Sequence, residues 1–557
     1  MLQKIKYWVL GLGLLFTAPS CDDYLEKYPL EGPSDASFFT NESELLLAIN
    51  ACYSSLAVHP SDNLPLPMLL DNAADISWDR NNSDLQQIGK GSHASNNGFV
   101  RNVWQQAYTD IGRCNFLLDN IDKVKDKTTP QLYARTKAEA RFLRAFNYSH
   151  LVELFGGIPL VTKTLKLEEA SLPKSSKEEV VNFILTELEE AAADLPVSYD
   201  AQNNGRATKG AALAIKSRTA LYNGKWEVAA KAAKDVMDLN YHKLHPNFGQ
   251  LFTYAGQNST EIIFAYQYLR GIRTHTVPQC FFSRMGRGNS NKVPGQVLID
   301  AYECTDGLTI DKSPLYNPLN PFVNRDPRLG YTVALPGSTF LNIKFETNKD
   351  SLKTTDFSTT PARRVDNVEA THAFATFTGY CWRKYTDIID QADVVNSELN
   401  IIAARYAEVL LNYAEAKIEL GQLDPSVYDA INAVRQRPSV NMPAIEPGKT
   451  QAELRSVVRK ERKYELANEG LRLYDIRRWK IADQVMNGTF YGRIPKGLLA
   501  TAPAIDANGT PNYATVPNRA DMRVVELRAF DAARDYLWPI PNIEVLTNTN
   551  LEQNPKY

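Results

Sequence analysis

Lys460-Glu-Arg-Lys-Tyr-Glu-Leu-Ala-Asn-Glu-Gly-Leu-Arg-Leu-Tyr-Asp-Ile-Arg-Arg-Trp479 is the stretch on which the reading of this chain turns. Half of its twenty residues are charged, yet aliphatic and aromatic side chains recur between the charges at helical spacing. Leu454, Val457, Val458, Glu461, Tyr464 and Glu465 follow one another at steps of one, three or four, which predicts one stripe of a helix. Glu461 and Glu465 then fall on or beside an apolar face, where an unpaired carboxylate is costly. Arg459, Arg462, Arg472, Arg477 and Arg478 stand close enough in sequence to supply bidentate partners. Acids and arginines crowd together in active sites and also in structural ion-pair networks. The regular stripe favours the second reading: Glu461, Glu465, Glu469, Arg472 and Arg478 are expected to form a structural clamp fastening two helices across Gly470.

The rest of the chain is compatible with a large helical assembly. At 557 residues, with 44% hydrophobic and 23% charged side chains, it has the balance of a globular protein with a sizeable core. Its 62 basic and 64 acidic side chains nearly cancel, so no global field favours nucleic acid as a partner. Lys4 and Lys6 precede an apolar run from Tyr7 to Phe16 that is too short to span a bilayer core of about 30 Å. Residues 1–20 therefore read as a secretory signal. Ala18-Pro19-Ser20 leads into Cys21, the position a lipoprotein signal peptidase leaves at the mature N-terminus, and Cys21 is the expected lipidation site. The other five cysteines, Cys52, Cys114, Cys280, Cys304 and Cys381, are scattered without C-x-x-C spacing. Cys52 and Cys114 fall in helical patterns as small core residues, and a Cys280–Cys304 bridge is left open.

Helical periodicity begins after Thr40 or Asn41 and returns in runs carrying Val103 to Ile121, Gln131 to Leu154 and Lys177 to Leu195. Val58 to Gly98 reads as polar and irregular. Ala207–Tyr222, Gly224-Lys-Trp226 and Glu227–Leu239 form a helix–turn–helix unit whose many alanines permit close packing. Ala404–Leu420, Gly421-Gln-Leu423 and Tyr428–Arg437 repeat the scheme, which is the tetratricopeptide pattern. Residues 241–400 are rich in Gly, Pro, Asn and Thr, with short strand-like runs such as Ile262–Tyr266. The expected organisation is an N-terminal helical region over 21–240 and a C-terminal region over 241–557. The latter comprises a loop-rich insert (241–400) and a helical scaffold (401–480), and both regions pack as one compact unit.

Enzymatic signatures are missing. There is no G-x-x-x-x-G-K-[ST], no G-x-S-x-G and no H-E-x-x-H, and the seven histidines are dispersed. No metal or cofactor is expected. A pair of glycosidase carboxylates cannot be placed from sequence, so a glycoside hydrolase with a helical fold stands as an alternative. Trp78 lies in Asp75-Ile-Ser-Trp78-Asp79-Arg80-Asn81, where an indole flanked by polar groups suits a sugar ring or an extended polar chain. Asp75, Trp78, Arg80 and Asn81, with Tyr268 and Phe281 from the loop-rich insert, are the candidate ligand residues. Trp382, alternating with polar neighbours as in a strand, reads as core.

Seven segments stand in order along the chain: Trp104-x3-Tyr108-x2-Ile111-x3-Asn115; Ala138-Glu-Ala-Arg-Phe-Leu-Arg-Ala-Phe-Asn-Tyr148 with Phe155-Gly-Gly-Ile-Pro159; Arg206-Ala-Thr-Lys-Gly-Ala211; Asn324-Arg-Asp-Pro-Arg328; Arg405-Tyr-Ala-Glu-Val-Leu-Leu-Asn-Tyr-Ala-Glu415; the Lys460–Trp479 block; and Leu537-Trp-Pro-Ile-Pro541. Together they resemble the SusD/RagB family of Bacteroidetes nutrient-binding lipoproteins. The resemblance spans nearly the whole chain. It departs at the irregular cleavage motif and at Lys556, where glycine is common. It implies a mainly α SusD-like fold, with about four tetratricopeptide-like helix pairs as scaffold and an irregular loop-rich half with short strands. It also implies a non-catalytic protein on the extracellular face of the outer membrane, anchored through lipidated Cys21 with Asp22 and Asp23 as export signal. Such a protein caps a SusC-like TonB-dependent transporter as a lid over oligosaccharide or, in the alternative, peptide cargo. The family has no fixed ligand motif, so no binding residue is carried over.

Overall fold

Local chemistry sets the helix boundaries. The computed structural model describes residues 38–56 and 59–557. The leader expected at 1–20 and the lipidation site Cys21 lie outside the described residues. Helix α1 (Glu42–Ser55) starts where the Asn41 side chain accepts from the Glu44 amide, and α2 (Gly98–Asn120) where Asn97 caps Val100. Thr129 and Pro130 open α3 (Pro130–Phe155), which stops at Gly156. Ser176 and Glu179 form a capping box for α4 (Lys177–Asp194). Helices α5 (Lys209–Tyr222) and α6 (Trp226–Asp238) are the first helix–turn–helix unit, α7 (Tyr406–Glu419) and α8 (Pro425–Arg435) the second. Gly224 turns the first unit at φ +68°, in the left-handed region that an L side chain adopts only at a cost. A second capping box, Thr450 with Glu453, opens α9 (Gln451–Leu466), and α10 (Arg472–Arg478) follows after Gly470.

Each long helix packs on the next. Contacts run from α1 to α2, then α3, α4, α5 and α6; α7 closes against α6 and carries α8 and α9. This array is the helical scaffold of a mainly α fold. Ala211, Ala212, Ala229 and Ala233 are fully buried, so small side chains let α5 and α6 approach closely.

The remaining chain is loop-rich and carries small antiparallel sheets. Strand β1 (Ser77–Asp79) pairs with β3 (Lys292–Pro294), placing Trp78 opposite Val293. Strand β2 (Ile262–Tyr266) pairs with β4 (Ile401–Arg405), and both pack on α5. Further on, β5 (Gly488–Tyr491) pairs with β6 (Val524–Arg528). A four-stranded sheet spans 339–366, and Val333–Ala334 pairs with Cys381–Trp382, where Trp382 is fully buried. The segment expected to be irregular, Val58 to Gly98, contains a helical turn (Pro67–Leu70), β1 and a helix (Ser83–Lys90). Pro67–Leu70 and β1 are too short for a periodic signal and are held by full burial, whereas Ser83–Lys90 buries one face through Leu85, Ile88 and Gly89.

One hydrophobic cluster runs from Phe39 to Leu551 and joins the helices to the loop-rich half. Cys280 and Cys304 are both buried with free thiols, so they are not bridged.

Candidate ligand-binding site

The Lys460–Trp479 block forms ion pairs, but chiefly with remote parts of the chain. Glu465, fully buried on α9, accepts from Arg405 Nη1 (2.7 Å), Arg437 Nη2 (2.7 Å) and Arg328 Nη1 (3.0 Å). Burial alone would raise its pKa, but the Arg437, Arg405 and Arg328 charges outweigh that and hold it well below the carboxylate range. Glu461 pairs with Arg328 and Arg435 at 2.5 and 2.8 Å, and Glu469 with Lys384 and Arg405 at 2.6 and 2.7 Å. Glu261 completes the network against Arg405 (2.9 Å) and Arg437 (2.6 Å).

Across Gly470 the pair is Arg462–Asp475 at 2.9 Å, with Arg478 bidentate to Glu415 at 2.7 Å, whereas the five residues expected as the clamp, Glu461, Glu465, Glu469, Arg472 and Arg478, each pair outside that set. The neighbouring arginines expected as partners are only partly used. Arg459 lies over the Trp479 ring at 4.9 Å and Arg477 over Trp538 at 5.7 Å. A helical stripe fixes which acids are buried, while Arg328, Arg405, Arg435 and Arg437 arrive through tertiary packing.

Most of the candidate ligand residues are unavailable to a ligand. Trp78 is buried in β1, its Nε1 donating to Glu526 Oε1 at 3.1 Å. Asp75 is buried and grips Arg472 through two hydrogen bonds of 2.8 and 2.7 Å, so two separately expected residues are each other's partners. Phe281 is fully buried beneath its loop. Tyr268 is buried too, its hydroxyl 2.8 Å from His59 Nε2. Trp78 was drawn into a small satellite core with Val293 and Phe490, and Tyr268 and Phe281 into the main one, because their apolar area outweighs the character of their neighbours.

Arg80 and Asn81 do reach the surface, and they lead to a cluster that sequence reading missed. Arg80 Nη2 donates to the Asn289 carbonyl (3.1 Å) and Nη1 to the Phe374 carbonyl, and Asn81 Oδ1 accepts from Arg80 Nε (3.2 Å). Arg284 is fastened by the same two residues, Nε to the Phe374 carbonyl (3.0 Å) and Nη1 to Asn289 Oδ1 (3.2 Å). The Arg80 guanidinium lies 5.5 Å from the ring centres of both Phe374 and Phe377. Arg523 covers Phe377 at 4.3 Å. Phe377 rests on the buried Trp78 at 5.6 Å, whereas Phe374 is 58% exposed. An open aromatic face beside fixed cationic donors is chemically suited to stack and hydrogen-bond a polar ligand. The only hint in sequence is the Gly-rich run Ser283-Arg-Met-Gly-Arg-Gly-Asn289, which follows directly after Phe281 and Phe282.

A groove of about 1090 Å³ lies between the loops at 317–323, 335–338 and 497–500. Exposed Leu319 and Val323 are among its lining residues, and its one arginine, Arg493, is paired with Glu346 at 3.8 Å. Among the described residues, no three His, Cys, Asp or Glu side chains gather as a metal site.

The architecture defines a helical scaffold that presents an irregular, loop-rich face. A family model described as the SusD family matches residues 260–557, and one described as "Starch-binding associating with outer membrane" matches residues 23–221. The chain belongs to the SusD family. It is 28% identical to SusD-like protein P2 of Formosa agariphila over 99% of this chain and 100% of that one. A SusD-like carbohydrate-binding protein from Bacteroides fragilis superposes with a TM-score of 0.80 at 33% identity, covering 92% of this chain and 100% of that chain. The starch-binding protein SusD of Bacteroides thetaiotaomicron is 31% identical over 183 residues, 32% of this chain and 31% of that one.

Proposed function

We propose that the protein is a non-catalytic glycan-binding lipoprotein of the outer cell surface, anchored through Cys21, that captures oligosaccharide for a SusC-like TonB-dependent transporter and closes over it as a lid. The observation that carries this reading is the solvent-facing Phe374, flanked by Arg80 and Arg284, on a SusD-family scaffold. An exposed ring with adjacent donors supports stacking of a sugar's apolar face with hydrogen bonds to its hydroxyls. The carbohydrate-binding description of the B. fragilis relative and the outer-membrane description of the N-terminal family model agree with it. A lid needs modest affinity, because cargo must leave again.

Isothermal titration of the purified protein against oligosaccharide and peptide panels tests the reading. Saturable glycan binding without product formation, lost in Phe374→Ala, is the expected result. Binding to peptides alone, or multiple-turnover cleavage of a glycan, would overturn it.

A further inference from the structure

We propose that the Arg80–Arg284–Arg523 cluster recognises the acidic group of a glycan, a uronate carboxylate or a sulfate ester, so that the cargo is an anionic oligosaccharide. This rests on the glycan-binding reading above and narrows it to a substrate class.

Several buried arginines elsewhere meet carboxylates, Arg218 with Glu408, Arg405 with Glu465 and Arg472 with Asp75, whereas buried Arg325 is met by the Ile299 and Tyr302 carbonyls and Arg477 lies over the Trp538 ring. Among the described residues, Arg80, Arg284, Arg523 and nearby Lys349 have no carboxylate within ion-pair distance. Two acids lie close, Asp79 beside Arg80 and Glu369 beside Arg284 and Lys349, and each is also bonded elsewhere. Asp79 is held by Lys292 at 2.9 Å. Glu369 is buried and accepts from the Met285 amide at 2.9 Å; burial pushes its pKa up, while that hydrogen bond and the Arg284 charge pull it down. The chain's net charge is only −2, so this concentration of cations is local and not compositional.

The geometry suits an anion. Arg80 and Arg284 are tethered to the same two residues, Asn289 and Phe374, which fixes their guanidinium groups side by side. Those tethers leave N–H donors uncommitted on both, including the Nη2 of Arg284. A guanidinium fork matches the planar oxygens of a carboxylate or the face of a sulfate, and two adjacent forks add direction. Burial and the Arg284 charge push the Arg80 pKa down, against the pull of Asp79, and a bound anion would relieve the repulsion between the two guanidinium groups. The exposed Phe374 ring beside them supplies a platform for the sugar that carries the charge.

The test is isothermal titration of the purified protein with an oligogalacturonide, a sulfated galactan oligosaccharide and a neutral laminari-oligosaccharide, at low and physiological salt. Binding of an acidic glycan, weakened by salt, is expected; which of the two binds distinguishes carboxylate from sulfate. The double variant Arg284→Gln/Arg523→Gln should weaken it at least about tenfold, a loss of about 1.4 kcal/mol. Its Lys/Lys counterpart should recover part of the loss. Both side chains lie at the surface, and unchanged thermal melting will show that the variants are folded. Preference for the neutral glycan, unaffected by the double variant, overturns this inference and leaves the glycan-binding reading standing. Failure of both acidic glycans likewise overturns it, and if only peptides bind, both fall.

Discussion

Glu465 shows why the densest charge cluster in this protein is structural. Three guanidinium groups converge on one fully buried carboxylate, and each of them also serves another acid. Removing Glu465 leaves Arg405 and Arg437 buried with too little counter-charge. Glu465→Ala should therefore cost about 3–5 kcal/mol of stability by urea unfolding, the scale for breaking a buried pair. Arg478→Ala should destabilise in the same way, since Glu415 and Asp475 would lose a shared partner. Ligand affinity of the folded fraction should change far less in either variant; a loss of binding without a loss of stability would return the block to candidacy as a site. His275 is a second informative residue. Its Nε2 lies 2.8 Å from the Leu399 carbonyl and its Nδ1 accepts from the Val277 amide, so the fold holds the neutral tautomer. Burial accordingly pushes its pKa down to about 4.

At the scale of elements, the joint between α9 and α10 is the most constrained. Gly470 sits at φ +75°, and a Cβ there would approach the Pro67 Cα to 2.6 Å. Gly470→Ala is predicted to destabilise by more than about 1 kcal/mol, from positive φ and overlap together. The Asp71 carboxylate accepts from the Asn468 and Arg472 amides across the same joint, so the substitution should also loosen Pro67–Leu70, as hydrogen exchange would report. The helices themselves were largely legible in sequence. Caps at Asn41 and Ser176, Gly224 and Gly421 in the turns, and the stripe on α9 mark their positions through local hydrogen bonding and burial periodicity. Strand β1 was not legible, because three residues carry no period and its pairing with Lys292–Pro294 is non-local.

At the scale of the whole molecule, buried neutral histidines make acid stability directional. His150 and His275 are pushed down to about 3 and about 4 by burial, from an ordinary value of 6.5. Between pH 6.5 and 4 the unfolded chain takes up protons that the folded chain refuses, so stability should fall as pH drops through that window. Asp71, pushed up to about 7 by burial, opposes part of this slope. Urea midpoints measured across the window should fall less steeply in His275→Asn than in the parent. Attachment is the other whole-molecule property. Cys21→Ala should release the protein from the membrane fraction, and full retention by the variant would count against the lipid anchor.

The amino-acid sequence by itself determined the helical scaffold, the burial of Glu461 and Glu465, and the family, because those depend on spacing, caps and ordered segments along one chain. The tertiary structure decided which arginines answer the buried acids, and that Trp78, Asp75, Tyr268 and Phe281 are interior. It also decided that Arg80 and Arg284 meet at Phe374, with Arg523 on the neighbouring Phe377 ring. Arg80 and the Phe374 carbonyl that it grips stand 294 residues apart, a juxtaposition that no local pattern encodes. Apolar rings were drawn inward by the area they bury, whichever polar residues surround them in sequence, and the loops left over assembled the cationic face.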